Sequence, residues 1–186
     1  MKDLDPLAPS LAGRVLVADP SLSDKNFKQT VILVSAHEAD KGAMGIIINK
    51  PTGERLGQVR PELANSSLSE VPVYRGGPVN SKELLLAGWK WNLEHQSFQL
   101  FLGLEPDRLQ ELRVENPDLI CRAFAGYSGW EEHQLEAELA QSDWQVSTFG
   151  VYYREIEPSK LWRSFIHQLR PDEKHLGDIP EDPSLN

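Results

Sequence analysis

Only one cysteine, Cys121, and two methionines occur among the 186 residues. An internal disulfide and a multi-cysteine metal site are therefore excluded, and the usage fits a reducing compartment. Long hydrophobic runs are missing too. Stretches such as Met44-Gly45-Ile46-Ile47-Ile48 fall far short of the ~20 apolar residues that a bilayer helix needs. The N-terminal Met1-Lys2-Asp3-Leu4-Asp5-Pro6 has no basic region leading into an apolar run, so no signal peptide is read and the expected location is the cytoplasm.

Basic charge is scarce. Nineteen Lys and Arg stand against 28 Asp and Glu, a formal net charge of -9 with an isoelectric point near 5.0. Affinity for phosphate backbones comes largely from basic residues releasing counterions, and the sequence shows no segregated basic patch. Neither nucleic acid nor a membrane is expected as a partner. The five histidines, His37, His95, His133, His167 and His175, never fall in His-x-His or His-x-x-x-His spacing, so no metal site is expected. Neither GxGxxG nor a P-loop is present, so no cofactor is expected. Gly42-Ala43-Met44-Gly45 matches a GXXG clamp only in its glycines, because it runs straight into an apolar strand rather than an exposed loop.

What remains is a globular composition: 40% hydrophobic, 8% aromatic and 25% charged residues, with a mean hydropathy of -0.42. A chain of this length forms one domain and buries roughly two-thirds of its unfolded surface. Residues 1–12 read as an N-terminal arm, 13–170 as the domain, and 171–186 as an acidic tail with five acids against Lys174. Such a tail reads as a solvated terminus.

Along the domain, β-branched and apolar runs predict strands at 14–18, 30–34 and 43–48, the last two a hairpin cornered at Gly42. Asp24 to Phe27 reads as a turn or short helix. Asn49 to Gly53 reads as the end of the hairpin, since Pro51 cannot donate to a ladder. Weak helical signal from Leu56 to Leu68 precedes a predicted edge strand at 71–75, then strands at 82–87 and 97–103. Pro106 opens a helix through Leu109 and Leu112, followed by a strand at 119–124. Ser128 with Glu131 has capping-box spacing before a helix reaching about Gln141. A strand at 145–153 and a helix from Pro158, with Leu161, Phe165 and Leu169 four apart, complete the pattern. Adjacent early strands and late helices predict an α+β domain.

Gly13 to Pro20, Asp24-Lys25-Asn26-Phe27, Gly42 to Pro51, Tyr74-Arg75-Gly76-Gly77-Pro78-Val79, Gly126-Tyr127-Ser128-Gly129-Trp130 with Gln134, Leu135 and Glu138, and Leu161-Trp162 follow one another in the order of the YqgE/AlgH family. On these blocks residues 11 to 168 resemble that family. The resemblance implies a mostly antiparallel, bifurcated sheet curled into a pseudo-barrel with helices packed outside. It does not imply an enzyme. Family members are largely uncharacterised bacterial proteins, some labelled transcriptional regulators on genetic grounds.

Five residues are candidates for ligand binding: Asn49, Arg75, Gly76, Gly77 and Trp130. Around Arg75, two glycines can turn consecutive N-H groups toward one point beside a guanidinium, a combination suited to carboxylate or phosphate. The same residues also make a tight turn, with Arg75 paired to an acid. Asn49 and Lys50 can place an amide and an ammonium at the rim of the same cavity, or Asn49 can close a turn through its own side chain. Trp130 either floors a pocket or packs in the core. Ser128 is not a hydrolase nucleophile, because Gly-x-Ser-x-Gly finds Trp130 in its last place. No catalytic residue is assigned. The leading reading is a non-catalytic regulatory domain that binds a partner protein or a small anionic ligand. The alternatives are an enzyme using the anion-binding rim and a DNA-binding regulator, which the net charge disfavours.

Overall fold

The computed structural model describes residues 10–92, 94–95 and 97–172. Most of residues 1–12, read as an arm, and most of 171–186, read as a tail, lie outside them. Nine strands form one sheet: β1 Arg14–Ala18, β2 Val31–Glu38, β3 Gly42–Ile47, β4 Pro51–Arg55, β5 Pro72–Arg75, β6 Val79–Asn92, β7 Ser97–Leu104, β8 Ile120–Trp130 and β9 Trp144–Thr148. Among the described residues four α-helices accompany them: α1 Leu56–Val59, α2 Pro106–Glu115, α3 Gln134–Ala140 and α4 Pro158–Leu169. The architecture is α+β, and the sheet curls without closing.

The strand order β4-β5-β8-β3-β2-β1-β9 is joined by a branch in which β6 pairs β8 and β7 pairs β6. The fork is β8. Its residues 128–130 pair with β3, while 120–125 pair with β6 and 123–125 with β5. Only β5 and β8 run parallel among these pairings. Because successive side chains point to opposite faces, the fork serves two cores. Phe124, Tyr74 and Trp89 enter the larger core, roofed by α3 and α4, whereas Ala123, Val73 and Leu86 enter a smaller one under α1 and α2.

The Pro158 helix forms as its spacing predicts. Pro158 sits in the first turn, where its missing N-H is no loss, and Leu161, Trp162, Phe165 and Ile166 are buried. Burying side chains of this size stabilises by about 1.5–3 kcal/mol each. The Trp162 Nε1-H donates to the Ala18 carbonyl at 2.8 Å, pinning α4 to β1.

Several local expectations are corrected by long-range pairing. Residues 49–53 do not simply end the hairpin: Pro51 opens β4, opposite Tyr74, and the exposed residues 51–55 are themselves an edge strand. The predicted edge strand β5 is therefore interior, between β4 and β8. The strand at 82–87 extends from Val79 to Asn92 and takes in both Trp89 and Trp91. Ser128 is no N-cap. Pairing of Gly45 with Ser128 and Ala43 with Trp130 carries β8 through the segment, and the helix starts at Gln134, whose Oε1 accepts the Glu131 N-H at 3.0 Å. The strand beginning near 145 stops at Thr148, and Val151–Glu155 turns as a 3-10 helix.

A half-buried guanidinium lies against two aromatic rings of the larger core. Arg122 lies 4.4 Å from the Tyr74 ring centre and 4.7 Å from that of Trp89, and its Nη1 donates to the Ile48 carbonyl at 3.1 Å. Burial draws its pKa below the usual arginine value, with the Tyr74 interaction opposing the shift. The ring faces replace water around the cation.

Candidate functional site

Three segments far apart in sequence meet in a cleft of about 690 Å³, lined by Ser23, Lys25, Lys28, Lys50, Pro51, Thr52 and Arg75. The first is the β1–β2 loop. The Asp24 side chain accepts the Asn26 N-H at 2.8 Å, and its carbonyl accepts those of Phe27 and Lys28 at 3.0 and 2.8 Å. This turn chemistry follows from an aspartate bonding its own backbone two residues on. It places Lys25 and Lys28 on the cleft and sends Phe27 inward.

Beneath the loop, Phe27 stacks on Trp130 with ring centres 6.5 Å apart and meets the edge of Trp144 at 5.6 Å. Both indoles donate to one carboxylate oxygen, Glu138 Oε2, at 2.8 and 2.7 Å, and Gln134 Nε2 donates to Oε1 at 2.9 Å. Glu138 thus satisfies the indole donors of two buried rings and holds the floor of the lysine loop.

The second segment is the β3–β4 connection. Asn49 is 2% exposed; its Oδ1 accepts the Val31 N-H at 2.7 Å and its Nδ2 donates to the Gln29 carbonyl at 2.9 Å. The side chain ties the end of β3 to the end of the lysine loop and leaves the next residue, Lys50, on the cleft. The third segment is β5, whose Arg75 donates its backbone N-H to the Lys50 carbonyl at 2.9 Å and reaches the Asn26 carbonyl with Nη2 at 3.4 Å.

Of the candidates from sequence, Arg75 alone lines the cleft. Asn49 and Trp130 face the interior with their polar atoms used there, and Gly76 and Gly77 are buried against β8. The Gly76 N-H donates to Ala125 and its carbonyl accepts from Ile47, both at 2.8 Å. A Cβ on Gly76 would stand 2.1 Å from the Gly126 oxygen, and one on Gly77 2.1 Å from the Tyr127 carbonyl carbon. These glycines permit close approach of two backbones. Lys25 and Lys28 escaped the sequence reading, since nothing in a linear pattern brings residues 25–28 beside 50 and 75.

The cleft's charge sets it apart. Among the described lining residues it gathers four cations and two hydroxyls with no carboxylate. A second cleft, of about 620 Å³, carries Glu54 and Glu83 beside Arg60 and Lys82. Among the described residues no group of three or more His, Cys, Asp or Glu can hold a metal ion, and no helix is long and apolar enough to cross a membrane. The Cys121 thiol is half-buried, and burial pushes its pKa up against the pull of Arg113.

At the start of the lysine loop, Asp19 Oδ1 accepts from the Ser21 N-H and hydroxyl at 2.9 and 2.7 Å, while Oδ2 pairs with Arg170. Burial pushes the Asp19 carboxyl up, but the two Ser21 bonds and the Arg170 charge outweigh it and hold the group below the ordinary carboxylate range. A depressed carboxyl adds stability that is complete above the unfolded value of about 3.9 and is lost as pH falls through the folded value. The stability gap between the wild type and Asp19→Asn is therefore expected to narrow as pH drops below about 4. Urea denaturation across that range checks it, and a constant gap contradicts it.

A family model described as AlgH-like, DUF179, matches residues 15–174. The chain belongs to the AlgH-like family. A UPF0301 protein of Streptomyces coelicolor is 33% identical over 191 residues, covering 95% of this chain and 96% of that one. One from Coxiella burnetii is 37% identical over 146 residues, or 75% and 78% of the two chains. Among solved structures, the AlgH protein from Pseudomonas aeruginosa superposes with a TM-score of 0.64 at 26% identity, covering 90% of this chain and 92% of that one. A Corynebacterium diphtheriae protein at 21% identity and TM-score 0.65 shares the fold, covering 95% of each chain. In this AlgH-like chain the family blocks converge on one structure: Phe27, Trp130 and Glu138 floor the lysine loop, Asn49 ties it down, and Gly76 and Gly77 seat the strand that presents Arg75.

Proposed function

We propose that the chain is a non-catalytic regulatory domain of the cytoplasm that binds a small anionic ligand in the cleft between Lys25, Lys28, Lys50 and Arg75. One observation carries the reading: a chain with net charge -9 collects four cations, and no carboxylate among the described residues, around a single cleft. Concentrating like charge in an otherwise acidic protein raises the local potential for an anion. The cleft's volume falls within the ~300–1,000 Å³ of small-molecule sites. Its planar guanidinium and three ammonium groups suit a ligand bearing two or more phosphate or carboxylate charges. The Ser23 hydroxyl adds orientation, while that of Thr52 donates to the Val73 carbonyl at 3.1 Å. Cations and hydroxyls recognise charge, and no described lining residue supplies the carboxylate or imidazole on which general acid–base turnover most often relies.

The test is thermal unfolding with tripolyphosphate and citrate. A ligand that binds only the folded chain raises the midpoint, by an amount set by its concentration over its dissociation constant. The wild type is expected to shift, and Arg75→Ala to shift by less than half as much. Equal shifts in the two proteins, or none in the wild type, overturn the reading.

A further inference from the structure

The mixed-charge cleft lies where two strands leave their regular pairing. β5 and β8 run side by side along it and supply Val73 and Ala125. On one side β4 bulges, so that residues 52–54 stand opposite Val73 alone. On the other side β6 bulges further: residues 80–83 stand opposite Gly126 alone, with Asn80 in the left-handed region at φ 49°. Gly126 permits this crossing, since a Cβ there would stand 2.5 Å from the Val79 oxygen and 2.9 Å from the Ser81 Cα. Bulges re-aim side chains and gather next to binding sites. These two bring Glu54 from one wall and Ser81, Lys82 and Glu83 from the other onto one cleft.

Its floor is apolar. Val73 is 2% exposed, and the half-buried Val59 and Leu84 pack against the smaller core and line the cleft. Its rim carries both signs of charge. Lys82 and the Glu54 carboxylate have no hydrogen-bond or ion-pair partner among the described residues. Arg60 pairs with Glu62 through Nε, and Glu83 Oε2 accepts from Asn80 Nδ2 at 3.5 Å. An aliphatic floor under two cations and two carboxylates complements a hydrocarbon body bearing one charge of each sign. A multiply charged anion meets Glu54 and Glu83 here and is repelled, so the two clefts select different ligands.

We propose that this second cleft binds an aliphatic α-amino acid as its zwitterion. The ammonium pairs with Glu54 and Glu83, the carboxylate with Arg60 and Lys82, and the side chain covers Val59, Val73 and Leu84. The volume of about 620 Å³ lies within the ~300–1,000 Å³ of small-molecule sites. The inference goes beyond the anion-binding reading: it uses other residues and stands if that reading fails. Thr52 lines both clefts, on the strand that separates them.

Amide NMR of the full chain at low salt, titrated in turn with L-leucine, L-isoleucine, L-valine and L-methionine, tests the proposal. At least one is expected to give saturable shifts at Glu54, Arg60 and residues 81–84 and none at 23–28. For the tightest of the four, the same side chain carrying only the carboxylate or only the ammonium is titrated next; for leucine these are isocaproate and isoamylamine. Each is expected to bind about fivefold more weakly, as the loss of one rim ion pair requires. Lys82→Gln is expected to weaken the amino acid about fivefold and leave the amine unchanged, while Glu54→Gln weakens the amino acid alike and leaves the carboxylate analogue unchanged. Both residues are exposed, so neither substitution disturbs the core. The absence of saturable shifts with all four amino acids overturns the site. A single-charge analogue that binds as tightly as the amino acid, or variants that bind it as the wild type does, overturns the zwitterion.

Discussion

Gly77→Ala is expected to destabilise the chain by about 3 kcal/mol, the upper end of what overpacking costs. The new Cβ would stand 2.1 Å from the Tyr127 carbonyl carbon and 2.4 Å from the Ser128 nitrogen. Both are backbone atoms of β8, so no rotamer change relieves the clash. The segment after β5 must move away from β8, although Arg75 is paired with Ala125 and the Gly76 N-H donates to the Ala125 carbonyl at 2.8 Å. Gly150 is the control. Its φ of -81° suits any residue and nothing lies within 4 Å of a Cβ built there, so Gly150→Ala is expected to stay within about 1 kcal/mol of the wild type. Urea denaturation of the three proteins makes the comparison. Similar midpoints for the two variants would contradict the close-approach account of the Gly76-Gly77 pair.

Glu138→Ala carries the second large effect, a loss of about 3 kcal/mol. Trp130 is 6% exposed and Trp144 4%, and Glu138 Oε2 accepts from both. Leaving a buried donor unsatisfied costs about 1–3 kcal/mol, and here two are stranded together. Glu138→Gln keeps an acceptor oxygen at the same reach and is expected to cost about 1 kcal/mol, since a neutral acceptor makes a weaker bond than a carboxylate. Through Phe27 the damage extends to the loop bearing Lys25 and Lys28, so Glu138→Ala is also expected to weaken tripolyphosphate binding, while Glu138→Gln preserves most of it. Denaturation followed by tryptophan fluorescence, with a parallel anion titration, measures both effects. Equal losses for the two substitutions would show that the indole bonds do not carry the effect.

The parts of the fold legible in the sequence were those decided locally. Leu161 and Phe165, four apart after Pro158, specify the last helix through the period of the helix itself, and the apolar runs at 14–18 and 31–34 are strands whatever their partners. The segment 126–130 was not legible, because Ser128 and Glu131 have the spacing of a helix start and only pairing with Ala43, Met44 and Gly45, more than eighty residues earlier, extends the strand. Pro51 misled in the same way. Its missing N-H argues against a ladder, but an edge strand such as β4 has a free side on which to place it. At the site, the guanidinium of Arg75 was visible and the cluster was not. Lys25 and Lys28 become ligand candidates only once the Asp24 turn, the Asn49 bridge and the Phe27 stack bring their loop beside Lys50 and β5.

Amide NMR during a tripolyphosphate titration reads the location of binding directly. The account predicts saturable shifts confined to residues 23–28, Lys50, Thr52 and Arg75. Largest shifts at Glu54, Arg60 and 81–84, around the mixed-charge cleft, or weak shifts scattered over the surface, would contradict it.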